Sequence, residues 1–385
     1  MTIAAAATTA MFDYVEQYAE IRCEILDAVE SVLSSGSLIL GQHVRAFEEN
    51  FCRFLDSEGS AVGVGNGTDA LAIALRALGI GAGDEVITVA NTAIPTVSAI
   101  RMVGARPVFS EIDPRTLLMD LDHAESRITT RTRAIVPVHL FGNAVDMTRL
   151  MKLAAQHGLA VVEDCAQSCG TTWQGQMTGT FGDVGCFSFY PTKNLGAYGD
   201  AGLCHTRSPE LAEQMLKIRS YGCGQARSGL AGTRHVYDAE CEGVNSRLDE
   251  LQAAILDVKL RHLGDYLAGR RRVARTYHDH LAPHVTRPQT EHDAGHSYHL
   301  FVIISEARER LIARLQSERI GFGIHYPTPI HRMRAYDFLG YDEGSLPETE
   351  RAAEQILSLP CYPELSTEAV QRICSVLNDV TDPAN

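Results

Sequence analysis

Over roughly the first 260 residues, short apolar runs alternate with stretches of helical period, and that alternation leaves few folds open. Glu85–Val89, Pro107–Phe109, Ala134–Val138, Leu159–Val162, Val184–Phe189 and Ala201–Cys204 are too short for globular helices and apolar enough for buried strands. Between several of them lie helical patterns such as Asp69–Leu78 and Met147–Ala155. Strands separated by helices pair in parallel, because each crossover carries the chain back to the same edge. The expectation is an α/β domain with a mostly parallel sheet flanked by helices.

Ser246–Leu263 carries Leu248, Leu251, Ile255 and Val258 at helical spacing, with Asn245 or Ser246 as cap and Asp249 and Glu250 in the first turn. This helix is expected to leave the first domain. A large domain would then span residues 1–260, with an N-terminal helix, and a smaller α+β domain would span 261–385. The small domain has His299–Ile304 as a strand, followed by a Pro-rich loop from His325 to Pro329. A chain of 385 residues is ordinarily divided in this way.

Charge and composition exclude several classes. Lys and Arg number 34 against 48 Asp and Glu, a net charge of −14, which argues against a nucleic-acid partner. An anionic ligand would need a local donor site, such as a helix N-terminus. No apolar run approaches bilayer length, and Met1–Ala10 has no basic region before it meets Asp13, Glu16 and Glu20. A cytoplasmic protein with no membrane partner is expected. The ten cysteines are irregularly spaced with no CxxC pair, so reduced thiols are expected and no metal site. Cys165 and Cys169 flank the stretch richest in chemistry, but in no familiar zinc spacing.

That stretch is Leu159–Gly202. Its first apolar strand ends in Glu163-Asp164-Cys165-Ala166-Gln167. In an open parallel sheet, ligands gather at the carboxyl ends of strands, where Asp164 would lie. Alone, such an Asp usually caps a helix or opens a turn. A second strand runs into Pro191-Thr-Lys193-Asn-Leu-Gly196. A loop lysine is ordinarily a solvated charge, but one placed after an apolar strand among Pro and Gly can be desolvated and made nucleophilic. The third element is Gly63-Val-Gly65-Asn-Gly67-Thr68-Asp69, which opens a helix and offers its first amides to an anion. Its spacing fits neither a dinucleotide fingerprint nor a P-loop. Ser188 could add a hydroxyl beside Thr68. Phosphate cradle, acid and lysine together are what a pyridoxal 5′-phosphate (PLP) site needs.

These residues resemble the DegT/DnrJ/EryC1/StrS sugar aminotransferases, fold type I PLP enzymes. The motifs that carry the resemblance are Asn66-Gly-Thr-Asp-Ala-Leu71, His139-Leu-Phe-Gly142, Glu163-Asp-Cys-Ala-Gln167, Ser188-Phe-Tyr-Pro-Thr-Lys-Asn-Leu-Gly196, Gly243-Val-Asn-Ser-Arg247 and Ile324-His-Tyr-Pro327. They fall in order over nearly the whole chain. The resemblance implies a seven-stranded, mostly parallel sheet and a small C-terminal domain. It implies that Lys193 forms the Schiff base and shuttles the proton, and that Asp164 keeps the pyridine nitrogen protonated. Gln167 would bond the ring hydroxyl, Gly67, Thr68 and Ser188 would hold the phosphate, and Ala166 would pack on one ring face. Asn245 would reach the phosphate of a neighbouring subunit, so a homodimer is implied. Many relatives place an aromatic residue on the other ring face, where this chain reads Thr92-Ala93-Ile94-Pro95-Thr96. Ala93 cannot stack, which leaves either weaker cofactor binding or cover from another group.

Substrate expectations also come from the resemblance. A dehydratase branch carries His where this chain has Lys193. The run Lys193–Gly202 looks like members that aminate sugar C3, whereas C4 enzymes more often carry Thr-Thr-Gly-Glu-Gly-Gly there. Transfer from L-glutamate or glutamine to a dTDP-linked 3-keto-6-deoxyhexose is implied, through pyridoxamine 5′-phosphate, giving a 3-amino sugar. Rivals are a UDP-linked 3-ketosugar, a 4-ketosugar, a keto-cyclitol, or a non-catalytic regulator on the same fold. Tyr190, His325, Tyr326 and His331 lie in stretches that line the sugar-nucleotide cleft of relatives. Arg219 and Arg247 could meet the diphosphate, or could equally sit in structural ion pairs.

Overall fold

The structure is a computed structural model that describes residues 8–223, 238–290 and 294–381. The first seven residues of the Ala- and Thr-rich start lie outside that range. Seven strands form the main sheet: β1 (Ser60–Val64), β2 (Glu85–Val89), β3 (Arg106–Ser110), β4 (Thr132–Ile135), β5 (Ala160–Asp164), β6 (Val184–Ser188) and β7 (Gly202–Thr206). Their spatial order is β1-β7-β6-β5-β4-β2-β3. Only β7 runs against the rest, pairing antiparallel with both β1 and β6. The expected mostly parallel sheet is therefore present, with β1 as the strand that the apolar runs did not reveal.

Both faces of the sheet are covered. Ile87, Ile135 and Val161 face one core with Leu150 and Leu153 of helix Met147–His157. Val62, Val86, Val162 and Val184 face another with Leu71, Ile73 and Leu75 of helix Gly67–Ala77. Burial on two faces explains why these strands read as continuous apolar runs.

A single helix, Glu250–His280, spans 31 residues. It begins four residues later than the cap signals suggest. Ser246 does not cap it, because the Ser246 hydroxyl donates to Asp69 (2.7 Å) and accepts from the Gly65 amide (3.0 Å). Asp249 takes the N-cap position instead. Further along, Gln252 brackets Tyr198, accepting from its amide and donating to its carbonyl. Lys259 donates to the Gly196 carbonyl (2.6 Å). Arg270 donates to the carbonyls of Tyr298 and His299. Val273, Ala274 and Tyr277 then enter a separate core with β8 (Phe301–Ile304), β9 (Ile356–Leu359) and the last helix, Thr367–Thr381. No described helix is long and apolar enough to cross a membrane.

Candidate active site

Strand register assembles the site. In the sheet, Gly202 lies between Val64 and Ser188, and Asp164 pairs with Cys186. The carboxyl ends of β1, β5 and β6 therefore meet at one edge. Helix Gly67–Ala77 starts there, capped by Asn66, whose side chain accepts from the Asp69 amide (2.9 Å). The first amides of a helix have no partner within it, so those of Gly67 and Thr68 face outward. A Cβ on Gly67 would lie 2.6 Å from the Ser188 Cβ. The close approach of this turn to Ser188 is thus open only to glycine.

Lys193 sits in the loop after β6. The loop is drawn closed by Lys193 donating its amide to Tyr190 and by Ala197 donating to Phe189, both 2.8 Å. Gly196 permits the closure, since a Cβ there would meet the Pro191 carbonyl at 2.4 Å. Desolvation lowers the Lys193 amine pKa to about 8, while the Asp164 charge pulls the other way. Asp164 is buried, which pushes its pKa up. Thr96, the Ala166 amide, Lys193 and His139 oppose that rise. The Thr96 hydroxyl donates to Oδ2 (2.7 Å) and the Ala166 amide to Oδ1 (3.1 Å).

Gln167 is oriented from two sides. Its Oε1 accepts from the Phe141 amide (2.7 Å), and its Nε2 donates to the Tyr326 hydroxyl (3.0 Å). Phe141 has a left-handed backbone (φ 64°), the kind of strain that gathers at functional sites. Tyr326 arrives from beyond the long helix, 159 residues away in sequence. His325 is beside it, with Nδ1 on the Ser358 hydroxyl (2.8 Å). Burial and the nearby Lys193 push the His325 pKa down to about 4, so its ring is neutral.

The other expected residues have the following surroundings. Arg219 is buried and donates to Glu48 (2.7 Å) and the Gly63 carbonyl (2.8 Å), which makes it a structural group beneath β1. His331 is buried against Phe109 and Tyr341 and bonds Glu350 (2.9 Å). Arg247 lies over the Tyr221 ring, 5.8 Å from its centroid, and Tyr190 is exposed. Asn245 is exposed and its backbone bridges to Ser220. Ala93 is the N-cap of helix Ile94–Met102 and makes no side-chain cap bond.

Sequence reasoning gave no role to Thr92, Thr96, His139 or Glu163. The Thr92 and Thr96 hydroxyls are 2.8 Å apart. His139 and Glu163 are fully buried and bond at 3.1 Å. Glu163 also accepts from the amides of Gly179, Phe181 and Gly182. Burial alone would raise its pKa, but His139 and these amides leave it below the ordinary value. Cys165 is near both, with one ligand atom from each of the three within 4.8 Å of the others. Two hydroxyls four residues apart just after a strand were a readable signal for Thr92 and Thr96. The His139–Glu163 pair had none beyond its place in two motifs.

An amine, a carboxylate, an amide and an outward-facing helix start fit in kind the aldehyde, ring nitrogen, ring hydroxyl and phosphate of PLP. Fold and site together define a PLP-dependent aminotransferase of fold type I. The chain belongs to the DegT/DnrJ/EryC1/StrS aminotransferase family, whose model matches residues 19–378. It is 44% identical over 97% of its length to a dTDP-3-amino-3,4,6-trideoxy-alpha-D-glucose transaminase of Micromonospora megalomicea subsp. nigra, covering 99% of that protein. It is 40% identical over 94% of its length to a protein of Geobacillus stearothermophilus named a pleiotropic regulatory protein, covering 96% of it. Among solved structures it resembles DesV of S. venezuelae in complex with a ketimine intermediate. The TM-score is 0.92 at 40% identity, with 98% of this chain and 100% of that one covered.

Proposed function

We propose that this protein moves an amino group from L-glutamate or glutamine to the ketone of a nucleotide-linked sugar, best a dTDP-linked 3-keto-6-deoxyhexose. The observation that carries the reading is the meeting of Lys193, Asp164 and the Gly67–Ser188 cradle at one sheet edge. The activity for which the 44%-identical relative is named supports the sugar. The protein is proposed to work as a cytoplasmic homodimer, with a large unit over residues 1–260 and a small one over 261–385. The separate core around β8 and β9 supports the second unit.

PLP, when bound, would supply the aldehyde that takes the amino group and a ring that accepts electrons from the substrate carbon. Gly67, Thr68 and Ser188 would hold its phosphate, and Asn245 of a second copy would close over it. The Asp164 carboxylate would face the ring nitrogen and favour its protonated form. Gln167, aligned by the Phe141 amide, would donate to the ring hydroxyl. Ala166 would pack on the ring. With a pKa near 8, the Lys193 amine is poised both to accept a proton from the substrate carbon and to return it. Tyr190, Arg247, His325 and Tyr326 are assigned to the sugar nucleotide. Arg219 and His331 are left out, because Glu48 and Glu350 hold them.

The test is the visible spectrum of PLP-loaded protein as L-glutamate is added. Conversion of the cofactor band to that of the amine form, followed by turnover with a ketosugar panel, supports the reading. A band unmoved by glutamate, glutamine or any other amino donor defeats it and favours a regulator.

Three further results are expected. Lysine captures an aldehyde only as the neutral amine, so the rate of PLP uptake by apoprotein rises with pH through about 8 and then levels. A stopped-flow profile still climbing at the pH of ordinary lysines would refute the desolvated amine. Gly67→Ala forces Ser188 aside and weakens PLP binding by roughly ten- to hundredfold, read by titrating apoprotein, because overpacking costs about 1–3 kcal/mol. Arg219→Met strands the mostly buried Glu48 carboxylate and lowers stability by about 3 kcal/mol in urea denaturation. Its KM for the sugar nucleotide stays unchanged; a large rise in KM would return Arg219 to the diphosphate.

A further inference from the structure

Behind Asp164 lies a polar chain that the reaction scheme does not use. Thr92 and Thr96 are each 2% exposed. Thr96 is the third residue of helix Ile94–Met102, which Pro95 helps to start just beyond β2. Its Oγ1 is 2.7 Å from Asp164 Oδ2 and 2.8 Å from Thr92 Oγ1. A hydroxyl has one hydrogen to give. An ionised carboxylate can only accept, so the Thr96 hydrogen goes to Asp164 and Thr92 must donate to Thr96. The chain is directed, Thr92 to Thr96 to Asp164, and each link polarises the next. The Ala166 amide meanwhile holds Oδ1. One donor on each oxygen fixes the plane of the carboxylate and leaves each oxygen a lone pair.

We infer that Thr96, oriented by Thr92, is a positioning residue for amino transfer: it holds the Asp164 carboxylate in one plane and in its ionised form, ready for the ring nitrogen of the cofactor. The inference rests on the proposed function, since it assigns the ring nitrogen to Asp164. Burial favours the neutral carboxyl, and Thr96 is the foremost group opposing it. Without the Thr96 hydroxyl, Asp164 gains freedom to rotate and a stronger tendency to keep its proton. A neutral Asp164 would hold the ring nitrogen less firmly in its protonated form.

The experiment compares Thr96→Val, Thr96→Ser and Thr92→Val, each as the full chain loaded with ring-nitrogen-labelled PLP. Nitrogen NMR reports protonation of the ring, and single-turnover kinetics with L-glutamate report the half-reaction. The expected result for Thr96→Val is a nitrogen signal moved toward the unprotonated pyridine. Its half-reaction slows by roughly ten- to hundredfold, the range for a hydrogen bond to a charged group. Thr96→Ser restores both, and Thr92→Val shows a smaller change of the same sign. A Thr96→Val protein with wild-type nitrogen signal and rate overturns the inference. So does a rate loss that tracks a fall in melting temperature and that serine does not restore. Wild-type protein whose cofactor never responds to glutamate defeats the proposed function itself, a result separate from either.

Discussion

Replacing Lys193 by alanine is expected to abolish amino transfer while leaving the fold intact. The residue follows β6 in a loop closed by backbone bonds, none of which uses the lysine side chain. Its amine is desolvated enough to bring its pKa to about 8. The sign for stability follows from that shift. A lysine whose folded pKa is depressed binds fewer protons than in the unfolded chain between about pH 8 and 10.4. Stability therefore rises with pH across this window, and below it the buried charge is a net cost. At pH 7 the alanine variant should melt no lower than wild type. Loss of a positioned acid–base group removes roughly 10²–10⁴-fold in rate, and loss of the nucleophile deepens the effect. Single-turnover spectra with L-glutamate provide the check. A Lys193→Ala protein that converts its cofactor band at even a tenth of the wild-type rate would remove Lys193 from the chemistry.

Asp164→Asn should be nearly as severe, for a different reason. The amide keeps the shape of the carboxylate, yet it cannot pair with a protonated ring. Removing one member of a buried charge pair costs about 3–5 kcal/mol, or roughly 10²–10³-fold and beyond in rate. A second signature separates this from general damage. The Asp164 charge holds the Lys193 pKa up against desolvation. Its loss should move the pH profile of PLP uptake toward acid. A variant that reacts normally, or whose uptake profile stays in place, would show that Asp164 does not face the reacting groups.

Much of this architecture was legible because it is local. Six of the seven sheet strands are apolar runs bounded by turn residues, and Lys193 and Asp164 stand out from their immediate neighbours. β1 was not read as a strand because its short run, Ser-Ala-Val-Gly-Val, merges into the glycines of the cradle. What escaped depends on pairing across long separations. Arg219 looks free until Glu48, 171 residues away, is placed beside it. The bonds of Gln167 to Tyr326 and of Thr96 to Asp164 span 159 and 68 residues. The start of the long helix was misplaced for the same reason: Ser246 is a good cap in isolation, but Asp69 takes its hydroxyl from 177 residues away.

The long helix has a practical consequence for anyone recombining such proteins. At 1.5 Å per residue its 31 residues form a rod of about 46 Å. Lys259, about a third of the way along, grips the carbonyl of Gly196 in the lysine loop, and Arg270 about three turns on grips the carbonyls of Tyr298 and His299. A chimera joined at residue 260 would mix one parent's grip on the loop with the other's grip on Tyr298 and His299, along a rod whose rotational phase must suit both. Exchange of sugar preference between relatives is therefore better attempted with the junction after His280, so that the rod and everything it clasps in the sheet are inherited from a single parent.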